Sequence, residues 1–329
     1  MKRPLAFVSI LAFAVIAAGW SHPARALDKI SMVIPRDSVF VLNFLGARDD
    51  GLFKKYGIDL NVDPRPFAGF LASLPSKQTL ATTYSGMDAI EKMNEGLPWQ
   101  VIGGGLTVIQ QIYVRKDSPI KTVADLRGKT FGTWSTGAGA YKAARAAMID
   151  GYGIDVAKET KLEQMAAPAL LKFLENGTVD AMINISSLTV RAASQPDKFR
   201  SIFAPNEFWR KKTGYPIVWA APLVAWKSWV DADPKRARNF SKAVDASFRW
   251  LADPAHLDAA VKKYGQLAGV TRPAEVAVYR KWLAEGDVFL STWDKKAVDA
   301  QWKFLDVAKK AGVLNAVPPE AQFALIENR

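Results

Sequence analysis

The stretch GKTFGTWSTGAGAYKAARAAM, Gly128 to Met148, passes from a short apolar strand through a turn of small residues into an alanine-rich helix. A small-residue turn that opens a helix leaves first-turn N–H groups unpaired and aims the positive end of the helix dipole at whatever lies above it. Two local readings follow: an anion seat, or a plain helix start capped by Ser135 and Thr136. Nucleotide motifs are excluded. A P-loop needs Gly-Lys-Ser/Thr, and Gly139 is followed by Ala140, Tyr141 and Lys142. In a dinucleotide fingerprint the third glycine would fall on Lys142.

Composition narrows the class. The chain has 329 residues, 49% hydrophobic and 23% charged, which is globular and long enough for two lobes. Residues 1–26 read as a cleavable export signal: Lys2 and Arg3 precede an apolar run from Leu5 to Trp20, and Ala24-Arg25-Ala26 is a small-residue cleavage site. No later run is long enough to span a bilayer, so no membrane anchor is expected. Cysteine is absent, which removes disulfides, a lipid-attached cysteine and thiol nucleophiles together. The expected location is a bacterial periplasm. The net charge of +12 loses Lys2, Arg3 and Arg25 with the signal, leaving +9. Because Lys and Arg are interleaved with acidic residues, as in DDGLFKK and DADPKRAR, the excess reads as a solvated surface and not a nucleic-acid site.

With His22 in the signal, His256 is the one remaining imidazole, on a helix capped by Asp253 with Pro254 at its first position. A multi-histidine metal site or a Ser-His-Asp triad is not built from that inventory, and no metal or cofactor is expected. One enzyme motif survives: Ser118-x-x-Lys121 and Lys212-Thr213-Gly214 follow the order of penicillin-interacting serine hydrolases. Their third element is missing, and Ser118 lies in a charged RKDSPIKT loop where an apolar helix start would be needed.

Strand and helix signals alternate from Ile30 to Ile217. The first set runs KISMVIP, a helix from Val39 to about Gly57, IDLNVDPRP, KQTLATT, a helix MDAIEKMNEG with Ser85 and Asp88 as a capping-box-like pair, and the strands WQVIGGG and QQIYVRKD. The second runs VADLRG, KTFGTW, the helix after Gly139, TKLEQM, APALLKFLENG and VDAMINI. Such alternation predicts an α/β fold with two parallel-cored sheets, one per lobe. After Leu223 the pattern turns helical, and Ala237, Phe240, Val244, Phe248 and Leu251 form one buried stripe.

Four motifs, GLFKKYGIDLNV (Gly51 to Val62), VRKDSPIKTVADLRGKTFGT (Val114 to Thr133), YGIDVAKETKL (Tyr152 to Leu162) and LENGTVDAMI (Leu174 to Ile183), stand in a familiar order and spacing. On them the chain resembles the periplasmic substrate-binding proteins of the nitrate, sulfonate, taurine and thiamine-precursor class of ABC importers. The stretch from Phe67 to Thr83 departs from that family's glycine-rich, Asp-containing pattern.

The resemblance implies a two-lobed periplasmic-binding-protein fold (type II), two doubly wound sheets joined by two crossover strands. Residues 27–113 plus 222–329 would form lobe one and 114–221 lobe two. It also implies a monomer that performs no chemistry, binds a small-molecule ligand, and presents it to a membrane permease with its cytoplasmic ATPase. Ligands of open α/β sheets sit beyond the carboxyl ends of the strands. Four turns fit that position: Arg36-Asp37-Ser38, Thr83-Tyr84-Ser85, Trp134-Ser135-Thr136-Gly137 and Asn184-Ile185-Ser186. Arg36, Ser38, Tyr84, Ser85, Trp134, Ser135, Thr136, Gly137, Asn184, Ser186 and Trp219 are the expected ligand-binding residues, with Arg191 a second candidate cation beside Arg36. The expected ligand is a small organic anion, sulfonate- or carboxylate-like; a neutral heterocycle such as a thiamine-type pyrimidine is the alternative.

Overall fold

A computed structural model describes residues 26–319. The predicted signal segment thus lies, but for Ala26, outside the described residues. The chain opens with β1 (Asp28–Pro35), α1 (Val39–Asp49), α2 (Leu52–Lys55), β2 (Ile58–Arg65), α3 (Phe67–Ser73), β3 (Ala81–Thr83), α4 (Gly86–Asn94) and β4 (Trp99–Leu106). There follow β5 (Ile112–Arg115), a single 3-10 turn over Val123–Leu126, β6 (Thr130–Thr133), α5 (Gly139–Tyr152), α6 (Val156–Glu159) and β7 (Lys161–Gln164). Next come α7 (Ala167–Glu175), β8 (Ala181–Ile183), α8 (Ser186–Ala193), β9 (Phe199–Phe203) and α9 (Pro205–Thr213). The chain closes with β10 (Ala221–Trp226), α10 (Lys227–Ala232), α11 (Pro234–Leu251), α12 (Pro254–Ala268), α13 (Pro273–Ala284), β11 (Phe289–Leu290) and α14 (Lys295–Lys310).

The first sheet has two hydrogen-bonded parts, the parallel pair β1-β2 and the ladder β11-β4-β10-β3. Side chains join them: Thr79 Oγ1 donates to Ser31 O at 2.8 Å and Thr82 Oγ1 to Val33 O at 2.5 Å. The second sheet runs β7-β6-β8-β5-β9. The second sheet is parallel over β7-β6-β8, whereas every hydrogen-bonded pair in the ladder β11-β4-β10-β3 is antiparallel, and each sheet holds an inner strand reversed against both its neighbours. In the first, β10 is antiparallel to both β3 and β4; in the second, β5 is antiparallel to both β8 and β9. The reversed strands are where the chain changes sheet, leaving the first after Leu106 and returning to it at Ala221.

Packing explains the glycine run in β4. A Cβ on Gly104 would stand 1.9 Å from Leu290 O, and one on Gly105 2.1 Å from Ala221 O, so the strand lies against backbone on both sides. The stripe of α11 faces the same sheet. Ser241 Oγ donates to Ile102 O at 2.7 Å, and Phe240 and Phe248 are fully or nearly fully buried, each contributing roughly 1.5–3 kcal/mol of apolar burial. Phe248 stacks on Phe289 with ring centres 4.3 Å apart.

Three local expectations change. The helix from Val39 breaks at Asp50, because Gly51 adopts a left-handed φ of 74°, and restarts as α2. The helix of the Ser-Thr-Gly stretch begins at Gly139, with Ala138 at its cap position and no side-chain cap, so Ser135 and Thr136 lie ahead of it in an extended turn. The helical tail carries a short strand, β11, that extends the first sheet.

Arg145 of α5 makes a two-pronged pair with Asp155, Nε to Oδ1 at 2.6 Å and NH2 to Oδ2 at 2.8 Å, both side chains largely buried. Those bonds hold the Asp155 carboxyl below its ordinary value against an opposing effect of burial. A carboxyl depressed in the folded state stabilises above its unfolded pKa and loses that contribution as pH falls through the folded one. Asp155→Asn is expected to cost about 2 kcal/mol at neutral pH, with the gap to wild type shrinking once the pH passes below the ordinary carboxyl range. Urea unfolding of both proteins at neutral and acid pH measures it.

Candidate functional site

Between the two sheets lies a cavity of about 570 Å³. Its walls come from segments that follow the strands' carboxyl ends. Pro35 to Ser38 follow β1, Ser85 follows β3, Trp134 and Ser135 follow β6, Ala167 and Pro168 follow β7, and Ile185 to Leu188 follow β8. The first crossover adds Gln110 and the second Ala220. Five helices of two turns or more, α1, α4, α5, α7 and α8, begin on this wall, so their positive dipole ends converge on one volume.

Fixed charges modulate that field. Arg36 lines the cavity with its side chain about half exposed, and its pairing with Asp37 is long at 3.6 Å. Asp37 takes a φ of 57°, uncommon for a residue with a side chain, while its N–H donates to Leu267 O at 2.9 Å. Arg191 also lines the cavity, but its charge is engaged: Nε donates to Glu275 Oε1 at 2.6 Å. The Glu275 side chain is 1% exposed and also accepts from the N–H groups of Thr271 and Arg272, at 2.8 and 3.1 Å. This pair ties α8 of the second lobe to α13 of the first. Beside it, a Cβ on Gly269 would lie 3.1 Å from the Ser187 Cβ and 3.7 Å from the Asp37 Cα, which groups these residues at one end of the cavity.

The opening turn holds the other lobe. Gly139 N–H, the first of α5, donates to Ser85 Oγ at 3.0 Å, so Ser85 serves a helix start of the opposite lobe and makes no side-chain cap of its own helix α4. The expected pairing of Ser85 with Asp88 is not formed. A Cβ on Gly139 would stand 2.6 Å from Trp219 O and one on Gly86 2.7 Å from the same oxygen. Both helices therefore start against the second crossover, where no side chain fits. Lys142 and Glu91 join the same two helices at 2.5 Å.

Of the residues singled out from sequence, Arg36, Ser38, Ser85, Trp134, Ser135 and Ser186 line the cavity. The other five lie off it. Tyr84 is buried with its hydroxyl donating to Leu71 O at 2.9 Å, and burial pushes its phenol well above the ordinary value. Thr136 and Gly137 are exposed, and the N–H and hydroxyl of Thr136 both donate to Gln164 Oε1. Asn184 turns its amide inward, Nδ2 to Ala167 O at 2.9 Å and Oδ1 to the Ile185 N–H at 2.8 Å, so it fixes the start of α7 from behind. Trp219 is fully buried with Nε1 donating to Gln301 O at 3.1 Å. Sequence reasoning missed Gln110, Phe67 and Phe70. The last two fall in the stretch that departs from the family pattern, which was the available signal.

The serine-enzyme motif is not assembled. Lys121 Nζ donates to the Ser118 carbonyl at 3.2 Å, Ser118 Oγ accepts from the Ile120 N–H at 3.2 Å, and neither side chain lines the cavity. His256 stacks on Trp250, ring centres 4.5 Å apart, also away from the cavity. Among the described residues no helix is long and apolar enough to cross a membrane.

Residues 41–256 match the family model described as NMT1/THI5 like. No curated protein matches the chain. Among solved structures it is similar to the periplasmic aliphatic sulphonate binding protein SsuA from Escherichia coli, with a TM-score of 0.69 and 13% identity over 89% of this chain and 91% of that one. The alkanesulfonate-binding protein SsuA from Xanthomonas axonopodis pv. citri bound to MOPS gives 0.67 and 14% over 90% and 98%. The desulfurization enzyme DSZB gives 0.63 and 15% over 92% and 98%. The fold is the two-lobed one of periplasmic binding proteins.

Two substitutions test the lobe contacts. Gly139→Ala meets backbone that cannot yield and is expected to cost about 1–3 kcal/mol, with a larger radius of gyration in solution scattering as the lobes separate. Arg191→Ala leaves the buried Glu275 carboxylate with only the longer, half-exposed pairing to Arg272 at 4.0 Å, a loss of about 3 kcal/mol in thermal or urea unfolding.

Proposed function

The chain belongs to the NMT1/THI5-like family, and on that premise we propose that it is an extracytoplasmic solute-binding protein. It captures a small organic anion, sulfonate- or carboxylate-like, between its lobes, at residues 27–113 plus 222–329 on one side and 114–221 on the other. The occupied, closed form is then presented to an ABC import permease with its cytoplasmic ATPase. One observation carries this reading: a single cavity takes walls from both lobes, and five helix N-termini converge on it beside Arg36. A ligand that touches both lobes stabilises the closed arrangement through its differential affinity for it, which is how binding becomes a signal to a partner.

Capture without turnover is the form of the proposal. One fold relative is an enzyme, so the fold alone does not decide the matter. The chain has no cysteine, and His256, the one histidine beyond the proposed signal, lies off the cavity, so its lining serines have neither a thiol nor an imidazole beside them. Two of the sulfonate-binding relatives support the ligand class. Arg36, Ser38 and Ser186 would hold the acid group, with Ser85, Ser135 and Trp134 on the opposite walls.

A thermal-shift panel of sulfonates, carboxylates, nitrate and thiamine precursors tests the function. A ligand at a hundredfold over its dissociation constant adds about 2.7 kcal/mol, several degrees for a chain of this size. Organic anions are expected to shift the wild type, and Arg36→Gln to weaken them at least about tenfold with the unliganded melting temperature unchanged. A response to neutral heterocycles only would replace the anion reading. Release of product from any bound compound would replace the binding-protein reading.

A further inference from the structure

We propose that the ligand is a singly charged aromatic acid of about two-ring size, an aryl sulfonate or aryl carboxylate, and not a compact anion such as nitrate, methanesulfonate or taurine. The inference rests on the solute-binding reading and deepens it. Three features of the cavity carry it.

The first is size. A volume of about 570 Å³ lies in the range of sites that enclose drug-sized ligands, far beyond what nitrate or a two-carbon sulfonate fills. A compact anion would engage the serines and Arg36 and leave the apolar part of the wall facing water that finds no partner there. The second is the wall itself. Phe67 and Trp134, both half-buried, present aromatic side chains to the cavity, with the buried Phe40 and Phe70 behind and aliphatic residues such as Leu106 and Leu188 beside them. Trp134 is half-buried, with ring surface left for a partner, whereas Trp99, Trp209 and Trp219 are among the largest fully buried side chains of the core. An aromatic body gains both area burial and ring-ring contact from such a wall.

The third feature is charge. Of the two lining arginines, Arg191 is neutralised by the buried Glu275, and Arg36 stands next to Asp37. Arg272 also approaches Glu275, at 4.0 Å, so three cations face two carboxylates at that end and one positive charge is in excess, enough, with the helix starts, for one acid group and not for two. Gln110 completes the polar inventory. It is 4% exposed, its Oε1 has no partner in the protein, and it lines the cavity from the first crossover, ready to engage a ring substituent. The acid group then sits by Arg36 and the starts of α1 and α8, and the rings lie against Trp134 and Phe67.

Calorimetric titration of the purified protein compares naphthalenesulfonate, naphthoate, neutral naphthalenesulfonamide, naphthalenedisulfonate, methanesulfonate, taurine and nitrate. Naphthalenesulfonate and naphthoate are expected to bind about a hundredfold tighter than methanesulfonate, taurine or nitrate, and well above the sulfonamide and the disulfonate. Trp134→Ala should weaken naphthalenesulfonate at least about tenfold while leaving methanesulfonate unchanged, with Phe67→Ala as the second variant if the first does not fold. Equal or tighter binding of a compact anion overturns the aromatic assignment and leaves the solute-binding reading in place. Equal binding of the sulfonamide or the disulfonate overturns the single charge. A protein that binds none of the seven overturns this assignment, and with it the organic-anion reading on which it rests.

Discussion

Everything that positions the cavity depends on the absence of two side chains. Gly86 and Gly139 open helices of different lobes, and both come so close to the carbonyl of Trp219 that not even a methyl group fits. Helix starts that near to one crossover peptide are held at a fixed angle to each other, and the hydrogen bond from Gly139 N–H to Ser85 Oγ fixes their register. Two dipoles that would point anywhere in separate domains are thereby made to share a target. The reversed strands β5 and β10 do the same for the sheets, since each enters its sheet directly from a crossover and carries the parallel strands' carboxyl ends toward the gap.

Against that frame the two arginines divide their work. Arg191 is used up in holding α8 to α13 through a carboxylate already satisfied by two backbone N–H groups. Arg36, on a loop whose next residue is forced into a left-handed φ, remains at the mouth with its charge in partial contact with solvent. A cation bound in a buried network rigidifies and contributes little to recognition, whereas a partly solvated one can exchange water for a ligand oxygen at modest cost.

The sequence made the larger plan legible because it rests on local signals. Alternating elements in two sets, the helical tail and its buried stripe follow from hydrophobic period and turn residues, and all four strand-end turns do reach the cavity wall through at least one residue. Which residue of each turn faces inward was not legible. Adjacent residues at a strand end point to opposite sides, so Ser85 meets the cavity and Tyr84 the core, while Asn184 turns to the back of α7 and the two residues after it, Ile185 and Ser186, line the cavity. The Ser-Thr-Gly turn offers two local readings, free N–H groups or a cap by Ser135 and Thr136, and the fold follows neither. The N–H of Gly139, two residues on from the turn's glycine, is taken by Ser85, 54 residues away, and the turn's threonine by Gln164, partners that no local window contains. Phe67, Phe70 and Gln110 reach the wall through tertiary placement of α3 and the first crossover, which is likewise invisible to periodicity.

A field made from peptide dipoles has one property that a cluster of ionisable side chains would lack: it does not titrate. No histidine lines the cavity, and arginine keeps its charge across any ordinary pH. On the proposed export, the protein has no buffered interior around it and meets whatever acidity the medium brings. Apart from Asp37, the one carboxylate in its lining, a seat of this composition would hold its attraction for anions through such swings, so that acidity acts mainly on the solute: a sulfonate stays capturable throughout, while a carboxylate escapes once the medium is acid enough to protonate it.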